Sequence, residues 1–289
     1  MRRAAALLLA MSVSPAWAMT PQDAWKTAIA DQNNSYAHKL HAMLKIQDSV
    51  YLGEGESAVL TGRKGDAASW RWKRTGRGAL AVSLKSGKLA VLKDGKPADG
   101  ITKSVIIDAD VDVAGQPTQV RARVNGWRLF VYNQQAPAAK TFTGVSYYPY
   151  DPALRVTARF TPDAKLPARV FRTSRGTDKQ FFHAGDGHFT VEGKAVSLPF
   201  YTDSNNAKTI TIMSAFFTDG LTGKGAYGAG RYVDVAGFGK FPPATVTIDF
   251  NQAYNPNCAR SPHFTCPYAI DALPIAMRAG ERDPHGAMH

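Results

Sequence analysis

Cysteine is scarce: only Cys258 and Cys266 occur in 289 residues. That excludes a small disulfide-stapled scaffold and a zinc site built mainly from thiolates. Long apolar runs are also missing. The longest, Ala4 to Val13, is too short to cross a bilayer, and no later segment approaches the ~18 apolar residues of a membrane helix. Acids are the third shortage, 23 Asp+Glu against 35 Lys+Arg, for a net charge of +12. Several catalytic templates are absent: no Gly-x-Ser-x-Gly, no Ser-x-x-Lys and no His-Glu-x-x-His occurs. What remains is a globular composition, 44% apolar and 20% charged, long enough for one large β domain or two small ones.

The first eighteen residues read as an export leader. Arg2 and Arg3 give a positive start, Ala4 to Val13 an apolar stretch, Ser14-Pro15 a helix breaker, and Ala16-Trp17-Ala18 a small-x-small cleavage pattern. The competing reading is a buried helix. Cleavage after Ala18 would lower the charge to +10 by removing two arginines. A soluble periplasmic or secreted protein is expected, without a transmembrane segment.

Residues 19–48 read as an N-terminal helical segment. Thr20-Pro21-Gln22-Asp23 is a helix start, and Trp25, Ile29, Tyr36, Leu40 and Leu44 recur at near-helical spacing. Asn33-Asn34-Ser35 weakens its middle. His38 and His41 lie three apart on one face, which two histidines alone do not make into a metal site.

From about residue 50 the pattern turns to short strands and tight turns. Ala79–Leu84, Leu89–Leu92, Ser104–Val113, Gln119–Tyr132, Arg155–Phe160, Phe189–Val191, Val196–Leu198, Thr209–Ser214 and Thr245–Phe250 are candidates. Asp94-Gly95, Asn125-Gly126 and Glu192-Gly193 read as hairpin turns. The expected fold is mainly β, an antiparallel barrel or sandwich. A basic β subdomain is expected over 49–139 and a barrel-like domain over 140–289.

The basic excess concentrates early. Nine Lys/Arg and one acid, Asp66, lie between Thr61 and Lys93, with Trp70 and Trp72 interleaved. Such a stretch suits a nucleic acid. An exported chain would instead meet anionic lipid or glycan, an alternative role as an envelope-binding protein. In a strand, Trp70 and Trp72 share one face and Arg71 and Lys73 the other, which describes a solvated strand with its tryptophans inward. Asp108, Asp110 and Asp112 begin like a calcium loop. Val113 and Gln119 stand where Gly and Glu are needed, so the three acids are expected on one wet face. Gly220 to Gly225 lacks the spacing and hydroxyl of a phosphate loop.

The remaining constellation is polar and glycine-rich. It comprises Tyr227, Arg231, Asp249, Asn251, Tyr254 and Asn255, with Glu281 downstream. It suits a pocket for a small polar or anionic ligand, with Arg231 as the anion fork. Its rival is a buried structural network in which Arg231 bridges Asp249. A hydrolytic enzyme would use Asp249 or Glu281 as general base. A carboxylate beside an arginine is a weak base, so Glu281 is the better candidate where it is desolvated. Cys258 and Cys266, eight apart in a proline-stiffened loop, form a disulfide by default in an oxidising compartment; a thiol or metal site with His263 is the alternative.

These motifs also carry a family likeness. Tyr147-Tyr-Pro-Tyr-Asp-Pro152, Phe217-Thr-Asp-Gly-Leu-Thr-Gly223, Tyr227-Gly-Ala-Gly-Arg-Tyr232, Asp249-Phe-Asn-Gln-Ala-Tyr-Asn-Pro-Asn-Cys258, Cys266-Pro267 and Ala279-Gly-Glu281 resemble the family catalogued as domain of unknown function 1684. The resemblance spans roughly residues 140–281. It implies a β-rich domain, akin to split barrels that elsewhere hold flavins, and no established activity; whether a cofactor is used is left open. The family's proline-rich run ending in Asn is shortened here, with Asp271 standing before Leu273-Pro274. Family members without leaders keep the cysteine pair, so the resemblance implies a role for it beyond a disulfide.

Overall fold

In a computed structural model of the chain, residues 19–284 are described. The leader reading of residues 1–18 lies outside them. Helix α1 (Pro21–Ala37) begins as its sequence dictates: Thr20 Oγ1 accepts the Asp23 amide at 3.1 Å, with Pro21 in the first turn. The helix ends at Ala37, so His38 caps it and His41 lies beyond, and the expected two-histidine face does not form. His41 Nε2 instead lies 2.6 Å from Asp112 Oδ2, its ring stacked on Tyr132. No helix among the described residues is long and apolar enough to cross a membrane.

Nine strands follow: β1 (Ile46–Leu52), β2 (Ser57–Arg63), β3 (Asp66–Lys73), β4 (Leu80–Lys85), β5 (Lys88–Lys93), β6 (Lys96–Pro97), β7 (Val105–Asp108), β8 (Val111–Arg121) and β9 (Val124–Asn133). They form two antiparallel sheets, β1-β9-β8-β7 and β3-β2-β4-β5-β6. Leu52, Leu60, Trp70, Leu80, Val82, Leu129 and Val131 pack between them. The alternation in β3 resolves as the spacing predicts, with Trp70 buried and Arg71 and Lys73 exposed. Eight of the nine basic side chains in this stretch are exposed, Lys93 being half-buried.

Three details differ from the sequence reading. Asn125-Gly126 lies inside β9, and the turn is Ala122-Arg123, with Arg123 at φ 62°. Gly126 is there for close approach, since a Cβ would fall 2.2 Å from the Leu52 carbonyl oxygen. Ser104–Val113 is a hairpin rather than one strand, and only Asp108 and Asp110 stay wet. Asp112 is buried, accepting from Ser104 and Gln134 beside His41.

The short helix α2 (Pro137–Lys140) leads to a second body made of β10 (Arg155–Pro162), β11 (Ala168–Arg172), β12 (Asp178–Val191), β13 (Lys194–Thr202), β14 (Ile212–Thr218), β15 (Arg231–Ala236), β16 (Thr245–Asp249) and β17 (Asp271–Ala272). The path β15-β14-β13-β12-β10-β16 curls until its end strands meet, a nearly closed antiparallel barrel. Phe200, Phe217, Phe250, Leu198, Met213, Val233 and Ile248 fill it. The chain is therefore mainly β with an N-terminal helix. The Glu192-Gly193 hairpin closes β12 on β13 with both residues at positive φ. The strand expected at Thr209 starts at Ile212, because Asn206 caps a helical turn through the Lys208 amide.

Candidate functional site

Arg231 opens β15, and its side chain is 1% exposed. It is not an open anion fork. Nη2 pairs with the fully buried Asp219 carboxylate and reaches the Met277 carbonyl at 2.9 Å, while Nη1 donates to the Ala279 carbonyl. Asp219 also accepts the Leu221 amide at 2.7 Å. Gly280, at φ 73°, lets the strap 277–281 press on the barrel; a Cβ would lie 2.4 Å from the Ala253 carbonyl oxygen. Arg231 thus stitches a turn and a strap together, and the expected bridge to Asp249 is not made.

Asp249 and Asn251 do come together, through a helical turn rather than a strand face. Asp249 Oδ1 accepts the Asn251 amide at 3.1 Å and its Nδ2 at 2.9 Å, and Arg155 Nε stands 3.7 Å from Oδ2. The Asn251 side chain clamps the Asp151 backbone with two 2.8 Å bonds, and its carbonyl accepts Trp25 Nε1 at 2.8 Å. Asn255 is buried, donating Nδ2 to the Arg282 carbonyl at 2.8 Å. Those groups hold one segment to another, with Asn255 Oδ1 left without a partner among the described residues.

Glu281 is the hub of a second network and fully buried. Oε2 lies 2.8 Å from Arg260 Nη1 and accepts the Asn255 amide at 3.0 Å. Oε1 accepts Gln32 Nε2 at 3.1 Å and the hydroxyls of Tyr147 and Tyr36 at 3.3 and 3.4 Å. Burial raises its pKa against the pull of Arg260. The desolvation expected of a general base is present, but Gln32 and Tyr147 screen the carboxylate from open space.

On the other side of that screen is a cavity of about 190 Å³ between α1 and the barrel. Trp25, Ala28, Ile29 and Gln32 on one face of α1 form its roof, with Tyr147, Asp234, Gln252 and Tyr254 beneath. The rings of Trp25 and Tyr147 meet edge to face, with centroids 6.2 Å apart. Tyr254 donates to Asp234 Oδ2 at 3.0 Å, and Ser214 to Oδ1 at 2.5 Å. Asp234 is itself solvent-exposed, and the side chains packed around its carboxylate raise its pKa. Of the six expected ligand residues only Tyr254 lines this cavity. Sequence reasoning missed Asp234, Tyr147, Gln252 and Gln32. The periodicity of Trp25 and Ile29 was visible, but it signals a packed face and a recess equally well. A larger recess of about 670 Å³ lies around Phe142, Gly144 and Arg260; Arg260 there is already held by Glu281.

The cysteine loop is separate from this cavity. The two cysteines lie side by side without a bond between them in this structure, Cys258 half-buried and Cys266 buried. The Cys258 amide points at Cys266 Sγ, 3.3 Å away. Tyr227, expected in the ligand pocket, belongs here: its hydroxyl and that of Ser174 lie beside the Cys258 thiol. Among the described residues no cluster of His, Cys, Asp and Glu is arranged to hold a metal ion.

Comparison with known proteins follows the barrel. No curated protein matches the chain. A solution NMR structure of an uncharacterized protein from Haloarcula marismortui is similar at 28% identity over 50% of this chain and 79% of that one, with a TM-score of 0.43. Residues 140–282, holding the barrel, the Arg231 stitch and the Glu281 carboxylate, match the family described as protein of unknown function DUF1684.

Proposed function

We propose that the chain is an exported binding protein for a small polar molecule, held in the cavity under α1. The observation that carries this reading is the composition of that cavity: aromatic faces of Trp25, Tyr147 and Tyr254 with the amides of Gln32 and Gln252 and the Asp234 carboxylate. Aromatic walls with a few placed polar groups are how proteins hold small ligands. About 190 Å³ suits a molecule of modest size. The carboxylate favours a ligand rich in hydrogen-bond donors, such as a polyol, sugar or small amine, over an anion. Hydrolysis is disfavoured because Glu281 has its partners and no open path. The leader-like residues 1–18 support export.

A thermal-shift screen of small polyols, sugars and amines tests the reading, since a ligand raises apparent stability by mass action. A hit should be lost in Tyr254→Phe/Asp234→Asn and kept in Arg231→Lys where that variant folds. A hit equally strong in the double variant, or no hit in any class, would sink the proposal. Export is checked by cell fractionation and N-terminal sequencing, with a mature start at Met19 expected.

A further inference from the structure

The cysteine loop is built like a reactive centre. Its backbone is fixed on several sides: Ser174 N donates to the Cys266 carbonyl at 2.9 Å, Cys266 N to Ser174 Oγ at 3.3 Å, and Tyr232 donates its hydroxyl to the Pro267 carbonyl. Thr173 and Pro267 form an isolated bridge beside it. The Cys258 amide donates to Cys266 Sγ at 3.3 Å, and the Ser174 and Tyr227 hydroxyls lie beside the Cys258 thiol. Cys258 is open to solvent in part, while Cys266 behind it is buried. The charged groups facing the pair, Lys179 and Arg128, are cations. The neighbouring Cys266, with the Ser174 and Tyr227 hydroxyls, pulls the Cys258 pKa down to about 7, whereas Cys258 and then burial push that of Cys266 far up. One thiol is thus half-exposed and ionisable, and the other is protonated, sheltered and beside it.

We propose that Cys258 and Cys266 form a hydroperoxide-reducing dithiol, with Cys258 as nucleophile and Cys266 as resolving thiol. The Cys258 thiolate attacks one oxygen of the hydroperoxide. The O–O bond breaks, the leaving oxygen takes a proton to become water or an alcohol, and Cys258 becomes a sulfenic acid. The Tyr227 and Ser174 hydroxyls are placed to hold that new oxygen. Cys266 sulfur then attacks Cys258 sulfur; the S–S bond forms, the S–O bond breaks, and the hydroxyl leaves with the Cys266 proton as water. Two thiols and one hydroperoxide give one disulfide, one alcohol or water, and one water. A small-molecule thiol or dithiol returns the two electrons by exchange. The proposal is independent of the cavity under α1.

The test uses the reduced full chain with hydrogen peroxide as probe. Wild type is expected to lose both thiols together, give a Cys258–Cys266 linked peptide by mass spectrometry, and recover both with dithiothreitol. Cys266→Ser should stop at a sulfenic acid on Cys258, trapped by dimedone. Cys258→Ser should react at least about tenfold more slowly, because the buried thiol is protonated. Tyr227→Phe should slow the first step and leave the disulfide product unchanged. Alkylation of wild-type Cys258 by iodoacetamide needs no variant and should follow a pH midpoint near 7. Peroxide consumption by Cys258→Ser at the wild-type rate would overturn the proposal. So would an alkylation midpoint of an ordinary free thiol, or oxidation that ends between two chains rather than within one.

Discussion

Two arginines are buried in this molecule in opposite ways. Arg231, in the barrel, has a buried carboxylate and several carbonyls around its fork. Arg128, on β9 of the N-terminal sandwich, has no carboxylate. Its guanidinium carbon lies 4.4 Å from the centroid of Phe130 and 4.8 Å from those of Tyr51 and Phe264, and Nε and Nη2 have no hydrogen-bond partner among the described residues. The first is a stitch whose charges cancel. The second is a cation kept among rings, and burial lowers its pKa. The contrast teaches that burial of a charge does not by itself say what the charge is for.

The largest effect should come from breaking the stitch. Arg231→Ala leaves Asp219 buried and unpaired and is expected to cost about 3–5 kcal/mol by urea unfolding. Arg231→Lys should recover little, because one ammonium cannot span a carboxylate and separate carbonyls. Arg128→Met is expected to change stability by no more than about 1 kcal/mol, since the lost ring contacts are offset by removing an uncompensated charge. If both arginine variants unfold alike, the comparison fails.

A smaller effect separates carboxylates of the two halves by pH. The neighbours packed around the carboxylate of the otherwise exposed Asp234 raise its folded pKa, so its ionised form is mildly disfavoured in the fold and its contribution falls as pH rises through that value. Asp234→Asn should therefore gain on wild type as pH increases, read as melting temperature between pH 4 and pH 8. Asp108 runs the other way. The Gly65 and Ala109 amides lower its pKa, so its contribution is present above the ordinary Asp range and lost as pH falls through its folded value. Asp108→Asn should cost a little at neutral pH and nothing in strong acid. An Asp234→Asn gain that is flat with pH would show that its carboxylate is not desolvated by the cavity.

Much of the fold was legible because it is local. The Thr20 cap, the Asp94-Gly95 and Glu192-Gly193 turns and the Trp70/Arg71 alternation depend on neighbours a few residues apart. Asn125-Gly126 misled because a glycine needed for close approach to Leu52 looks the same in sequence as a glycine needed for a turn. The site was less legible for the same reason at longer range. Arg231 was readable as a fork, but its partner Asp219 was one acid among several, and nothing local distinguishes it from Asp249. The cavity residues come from a helix face, a loop and two barrel segments, so no spacing marks them. The Cys258 cage needed Ser174, which lies in a distant turn.

The Glu281 hub has a further consequence for the order in which the molecule is completed. Its carboxylate joins Gln32 and Tyr36 of the first helix to Arg260, a contact spanning 249 residues of sequence for Gln32. During synthesis α1 emerges early and cannot find its seat until residue 281 is out. Such non-local closure slows folding. A chain put together in this way stays open-ended while it is being made.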